Sequence, residues 1–247
     1  MEVLGIDIGG TGIKAALVDI KTGKLVTERF RIPTPKPATP EAVIDTVHEV
    51  LKHFDWKGFV GCGFPAAIKR ETVMTASNID KSWIGLNAGK KISKKIGCKT
   101  HLINDVDAAG VAEMHYGAGK NAKGTTVVVA IGTGIGTALF TDEHILVNSE
   151  LGHIELNGIA AEKYVSKAVR KKTDMSWEEY GKRLNKYFNK LEFYLWPDLF
   201  IMGGGASKNF EKYAKEFDFK TKMVTAEMQN NAGIIGAAYA AHLEFSK

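Results

Sequence analysis

Three short segments hold the residue types that could do chemistry. Gly5-Ile6-Asp7-Ile8-Gly9-Gly10-Thr11-Gly12-Ile13-Lys14 and Ala130-Ile131-Gly132-Thr133-Gly134-Ile135-Gly136-Thr137 each set glycines among threonines at the end of an apolar run, and Asn104-Asp105 lies between them. Glycine admits positive φ, so such turns can aim several backbone N–H groups into one concavity, where an anion fits. Two such turns around an acid–base residue suggest a phosphate held from both sides beside a carboxylate. Asp105 is the candidate general base, because a hydroxyl that attacks a phosphoryl group must give up its proton to an acceptor. The competing reading makes it a helix N-cap ahead of Ala108-Ala109. Asp107 suits that cap better, which leaves Asp105 for chemistry.

Several neighbours carry two readings each. Asp7 sits among backbone amides and would repel phosphate unless a cation stood between, so it is either a Mg²⁺ contact through water or a turn carboxylate bonded to its own loop. Thr11 and Lys14 could touch the group in transfer, Lys14 as a point charge; Lys14 could equally be the polar half of a strand's alternation. Thr133 and Gly134 belong to the opposite turn, where amides would hold donor phosphates. Glu150 and His153 are three apart and could bracket a vicinal diol, while a lone Glu or His is more often surface or satisfied core.

These groups need a scaffold. Apolar stretches rich in Val, Ile and Phe predict strands at 1–8, 13–19, 25–31, 58–64, 99–103, 125–131, 136–141 and 199–202. Turn residues separate the first three, which therefore form an antiparallel meander. Helical periodicity predicts helices at 40–54, 87–96, 107–116, 160–172, 176–195 and 233–245. Thr39 is the expected cap of the first, with Pro40 at its first position, and Ser176-Trp177-Glu178-Glu179 reads as a capping box. Residues 33–37, Pro-Thr-Pro-Lys-Pro, read as an extended connector. A strand–glycine turn–strand unit occurs once in each half, which hints at two similar lobes facing each other across a cleft, built as mixed sheets flanked by helices.

The bulk composition bounds the answer. The chain has 247 residues, 45% hydrophobic and 25% charged, with a formal net charge of +5, as suits a globular protein with a substantial core. No apolar run approaches the roughly 20 residues that span a bilayer, and Glu2 with a strand-like run replaces the basic head of a signal peptide. Cys62 and Cys98 lack metal-ligand spacing, so a reduced, cytoplasmic protein without zinc is expected.

The ordered motifs support a resemblance. Asp7 to Lys14, Asn104-Asp105, Gly132-Thr133-Gly134-Ile135-Gly136 and Gly203-Gly204-Gly205 follow the order used by the actin-like sugar kinases. Glu150-Leu151-Gly152-His153 makes the chain similar to the repressor–open-reading-frame–kinase family. The blocks at 75–83, 104–110 and 197–201 resemble the polyphosphate glucokinases within it. The resemblance covers nearly the whole chain, and its motifs are specific jointly rather than singly. It implies an α/β, two-lobed actin-like (ribonuclease H-like) sugar kinase fold with a central cleft. The lobes would be a small amino-terminal one, residues 1–115, completed by a helix at 233–247, and a larger one at 116–232.

The implied activity is phosphoryl transfer from polyphosphate and/or ATP, with Mg²⁺, to the 6-hydroxyl of glucose. An ATP-dependent kinase of another hexose or amino sugar, or a catalytically silent sugar sensor, are the alternatives. Under the resemblance Asn78, Asn104, Asp105, Glu150, His153 and Glu162 contact the sugar, although Glu162 reads equally well as part of a solvated helix face. Gly9, Gly10, Thr11, Gly12 and Lys14 would face the phosphates from one side, and Gly132, Thr133, Gly134 and Gly136 from the other. Gly204 and Gly205 fall where the family places adenosine. A homodimer is implied by the family alone.

Two departures narrow the assignment. Residues 157–162 stand where the wider family often has a cysteine-rich zinc motif, as they do in polyphosphate glucokinases. The family's repressors carry a DNA-binding domain before the first turn, and here that turn begins at Asp7, so repression by this chain is not expected. Lys163, Lys167, Arg170 and Lys171 fall at helical spacing, and Lys182, Lys186 and Lys190 recur every four residues with Arg183 beside them. They are either a track for a polyanion or solvated helix surface. No motif points to specific nucleic-acid binding.

Overall fold

The computed structural model describes residues 1–77 and 79–246. In chain order it runs β1 (Glu2–Ile8), β2 (Ile13–Asp19), β3 (Lys24–Leu25), β4 (Phe30–Ile32), α1 (Pro40–His53), β5 (Val60–Phe64), β6 (Ile68–Lys69), β7 (Thr72–Val73), α2 (Ala88–Ile96), β8 (Thr100–Asn104) and α3 (Asp105–Tyr116). Then come β9 (Thr125–Ile131), β10 (Ile135–Thr141), β11 (His144–Leu146), β12 (Glu155–Leu156), β13 (Ile159–Ala160), α4 (Ala161–Val165), α5 (Lys167–Lys172), α6 (Trp177–Leu195), β14 (Leu199–Gly203), α7 (Gly204–Ser207), β15 (Lys222–Thr225) and α8 (Ala232–Phe245).

The chain divides into two units. Unit 1 is Met1–Ala112 with Asn230–Lys247, and unit 2 is Glu113–Gln229, so the unit that holds the amino terminus is the longer one. Its sheet has the order β3-β2-β1-β5-β8, with β4 also paired to β2. β1 runs antiparallel to β2 and parallel to β5, which is parallel to β8. Both faces of this sheet are covered, and β1 accordingly reads as a continuous apolar run with Val3, Leu4, Ile6 and Ile8 fully buried. One side packs on Val43, Val47, Trp83 and Ile92 from α1, α2 and the turn between them.

α8 covers the other side and comes very close. A Cβ placed on Gly5 would stand 2.1 Å from the carbonyl oxygen of Ile234, and one on Gly61 only 1.8 Å from that of Ala237. Glycine is therefore required where this helix meets β1 and β5.

Unit 2 repeats the plan in the order β11-β10-β9-β14-β15. β9 and β10 are antiparallel, while β14 is parallel to both β9 and β15. Its core sets Val127, Val129, Phe200 and Met202 against Leu184, Tyr187, Phe188 and Leu191 of α6. Ser176 caps that helix, its Oγ accepting from Glu179 N at 3.1 Å, while the Glu179 carboxylate, the other half of the expected capping box, pairs with Arg183. Thr39 caps α1 in the same way, accepting from Ala42 N.

Three expected elements come out differently. The strand expected at 25–31 is two pieces, β3 and β4, because Thr27 Oγ1 takes the Leu17 N–H at 3.1 Å where a main-chain partner would stand. The helix expected at 160–172 breaks at the buried Ser166, whose extended ψ of 160° ends α4 and whose hydroxyl caps α5. α3 starts at Asp105 rather than 107, and Asn104 takes the cap position: its Oδ1 accepts from Val106 N at 2.8 Å and Asp107 N at 3.0 Å, with Asp105 Oδ1 sharing the Val106 N–H at 2.9 Å. No helix among the described residues is long and apolar enough to cross a membrane.

Candidate active site

In unit 1 the parallel register aligns the carboxyl ends of three strands: Asp7 beside Gly63, Gly63 beside Ile103, and Phe64 beside Asn104. In α/β sheets that edge is where ligands bind, because loops and helix N-termini converge there. Asp105 opens α3 at this edge, half-buried, its Oδ1 accepting from Val106 N at 2.9 Å. Asn104 is more committed than expected for a sugar contact. Its Oδ1 caps α3 and its Nδ2 donates to Ala66 O at 3.0 Å, leaving at most one amide hydrogen for a ligand.

The first glycine turn is closed by Gly9 N donating to Gly12 O at 3.1 Å. Thr34, buried in the proline-rich connector, donates its hydroxyl to Gly9 O and braces the turn from outside. Asp7 and Lys14 face each other across β1 and β2, and Lys14 Nζ lies 2.9 Å from Asp7 Oδ2. The two residues read separately from the sequence thus form one ion pair. Next in the same row, Lys14 faces Arg31 of β4. Arg31 Nη2 donates to Thr11 O at 3.0 Å, and a Cβ on Gly12 would stand 2.6 Å from Arg31 Nε. Sequence reading missed Arg31, because its place depends on how β4 registers against β2.

In unit 2 the second turn closes the same way, Gly132 N donating to Gly134 O at 2.9 Å. Ala168 N donates to Gly132 O at 3.2 Å, which ties α5 to it. Gly136 is the second residue of β10, opposite Ala130. Gly204, at φ 73°, abuts the end of β9, where a Cβ would meet Ile131 O at 2.6 Å. Gly205 lies under Lys167, whose Nζ would be 2.6 Å from its Cβ. Glu162 reaches the turn: a Cβ on Gly134 would stand 2.5 Å from its Oε2.

His153 links the sugar candidates. Its Nδ1 is 3.7 Å from Glu162 Oε1 and its Nε2 is 3.6 Å from Glu150 Oε2, so the imidazole lies between two carboxylates. The turn carrying Glu150 and His153 is fixed by Thr137 of β10, another residue that sequence reading did not single out. Thr137 Oγ1 accepts from Leu151 N at 3.1 Å and donates to Ser149 O, while Ser149 Oγ donates back to Thr137 O at 3.0 Å.

Structure thus brings Asp7, the first turn, Lys14, Asn104 and Asp105 to one edge of unit 1. It gathers the second turn, Gly204, Gly205, Glu150, His153 and Glu162 in unit 2. Asn78 lies outside the described residues. Several of the basic residues that read as either a polyanion track or solvated helix surface have partners within the fold. The break at Ser166 puts Lys163 and Lys167 on different helices, and Arg170 stacks on the Trp177 ring at 3.4 Å. Lys182 and Arg183 pair with Glu178 and Glu179, and Lys190 donates to Glu155 O.

The sequence profile of the ROK family matches residues 3–164. Over 237 residues the chain is 43% identical to a polyphosphate glucokinase of Mycobacterium tuberculosis (strain CDC 1551 / Oshkosh), covering 96% of this chain and 89% of that one. The chain belongs to the ROK family. Among solved ROK-like structures, the inorganic polyphosphate/ATP-glucomannokinase from Arthrobacter sp. strain KM superposes with a TM-score of 0.92 at 44% identity, covering 98% of this chain and 99% of that one. A ROK family glucokinase from Streptomyces griseus shares the fold, with a TM-score of 0.84 at 23% identity and coverage of 98% and 100%. The fold is therefore the actin-like, ribonuclease H-like α/β fold of ROK sugar kinases.

Proposed function

We propose that this ROK protein is a glucokinase that transfers a phosphoryl group from inorganic polyphosphate or ATP to the 6-hydroxyl of glucose. What supports the reading most is the 43% identity to a polyphosphate glucokinase along 96% of the chain, with Asp105 standing at the carboxyl edge of the unit 1 sheet. Asp105 accepts the proton of the attacking hydroxyl. Glu150, His153 and Glu162 hold vicinal hydroxyls of the sugar, with Asn104 donating its remaining amide hydrogen and Asn78 as a further contact. The amides of the two glycine turns stabilise charge on the phosphoryl group, because donors fixed before the reaction need no reorganisation during it.

Mg²⁺ fits this arrangement in a limited way. Among the described residues no three His, Cys, Asp or Glu side chains are gathered for a metal, and Asp7 is already paired with Lys14. A cation that keeps most of its waters and arrives on the donor's phosphates suits a single carboxylate contacted through water. Bound there it would neutralise phosphate charge.

A second acceptor, mannose, is favoured by the likeness to the Arthrobacter glucomannokinase. The reading includes a cytoplasmic homodimer, and the exposed Phe193, Tyr194 and Trp196 at the end of α6 offer apolar surface for self-association, which sedimentation would detect. The deciding experiment measures glucose 6-phosphate formed with Mg²⁺ and either nucleotide-free polyphosphate or ATP. Turnover with polyphosphate supports the full reading, and turnover with ATP alone removes the polymer. Silence with both donors, for glucose and mannose alike, would leave a sugar sensor.

A further inference from the structure

We propose that Arg31 holds the phosphoryl donor over the first glycine turn. This rests on the phosphoryl-transfer reading above and adds a residue to it. The antiparallel registers put Asp7, Lys14 and Arg31 opposite one another on three adjacent strands, β1, β2 and β4. Directly opposed residues project from the same face of a sheet, so the three form one row at the end where the turn begins. Within that row the charges do not cancel. Asp7 offsets Lys14 at 2.9 Å, and among the described residues Arg31 has no carboxylate within ion-pair distance. The row therefore carries one net positive charge, and Arg31 holds it.

The arginine is also exposed yet anchored. Exposed arginine heads commonly sample many rotamers, at an entropy cost whenever they grip a ligand. Arg31 has its Nη2 fixed on Thr11 O at 3.0 Å, and its Nε and Nη2 would stand 2.6 and 2.8 Å from a Cβ on Gly12. Glycine at 12 is what lets the guanidinium lie flat against the turn. One N–H of five is engaged by the Thr11 carbonyl, and the others form the planar fork that matches phosphate oxygens. Lys14, partly neutralised and held by Asp7, is the weaker anion ligand of the two. The donor charge contact expected of Lys14 thus moves one strand outward, to Arg31.

The test uses Arg31→Lys, Arg31→Gln and Arg31→Ala in the full chain, after thermal melts confirm folding. Calorimetric titration with tripolyphosphate reads donor binding without turnover, and steady-state kinetics read the KM of donor and glucose separately. Losing a hydrogen-bonded charge contact corresponds to about tenfold or more in affinity. The expected result is that Gln and Ala weaken tripolyphosphate binding and raise donor KM by about that factor. Lys, which keeps the charge but not the planar fork, should recover part of the loss, and glucose KM should stay within twofold.

Gln can still donate to Thr11 O, so it separates bracing of the loop from contact with the donor. A Gln variant that matches the native protein on both readouts overturns the proposal, as does a common loss in Lys, Gln and Ala alike. If the native protein binds tripolyphosphate through Arg31 but phosphorylates no sugar, this inference stands and the glucokinase reading falls. If turnover is robust and indifferent to Arg31, the reverse holds.

Discussion

The two glycine turns share a backbone plan and differ in almost everything attached to it. Each joins an antiparallel strand pair, β1–β2 or β9–β10, and in each the first loop residue's N–H reaches the last loop residue's carbonyl, Gly9 to Gly12 at 3.1 Å and Gly132 to Gly134 at 2.9 Å, the second loop being one residue shorter. In each sheet the first strand of the pair then has a parallel neighbour, β5 or β14. Around the first turn the side chains come from strands in register, giving the row Asp7, Lys14 and Arg31. Around the second they come from elements downstream of the hairpin: Glu162 from α4, Lys167 from α5, and His153 from a short turn pinned by Thr137. A repeated backbone supplies an anion-binding curve twice, and the elements beside each copy decide its chemistry.

The sharpest way to break this contrast is Asp105→Asn. If the reacting edge is in unit 1, kcat should fall about 10²–10⁴-fold while glucose binding, followed by calorimetry, persists. Near-normal turnover would move the base elsewhere. Gly61→Val tests whether the units are held independently. With its Cβ 1.8 Å from Ala237 O, it should cost unit 1 about 3 kcal/mol or more and leave a unit 2 transition in place by scanning calorimetry. A single transition lowered as a whole would show the units to be one cooperative block.

Thr137→Val addresses unit 2 alone. It removes the hydroxyl that holds Leu151 N and Ser149 without changing shape, so glucose KM should rise about tenfold with donor KM unchanged. An equal rise in both would tie the Glu150–His153 turn to the donor as well. The smallest effects come from the helix caps. Ser176→Ala should cost about 1 kcal/mol by denaturant melts. Thr39→Ala should cost less, since its bond to Ala42 N is longer, 3.4 against 3.1 Å.

Local signals were legible in the sequence, and those that depend on register were not. The caps at Thr39 and Ser176 and the buried run of β1 follow from residue types a few positions apart, and the structure holds them as expected. The Asp7–Lys14 pair could have been found by counting outward from the turn, since Ile8 opposite Ile13 forces Asp7 opposite Lys14. Arg31 could not be found that way. A hydroxyl, Thr27 Oγ1, interrupts the pairing of its strand, and no periodicity records that. The break at Ser166 was equally hidden, because neither Gly nor Pro marks it and only burial of the serine selects capping over continuation. Asn104 and Asp107 both suit a cap, and the end of β8 at Asn104 decides between them.

The fit of α8 against Gly5 and Gly61 bears on how the protein is made. The helix lies more than 200 residues downstream of β1 and after all of unit 2. On the ribosome, therefore, unit 1 is first to begin and last to finish. Its sheet emerges early with a face shaped for a helix that does not yet exist, whereas unit 2 has every strand it needs before α8 is translated. Domains commonly mature in the order of synthesis; here the order of completion is inverted, and the nascent glycine-lined face is the surface that a chaperone would have to shield in the interval.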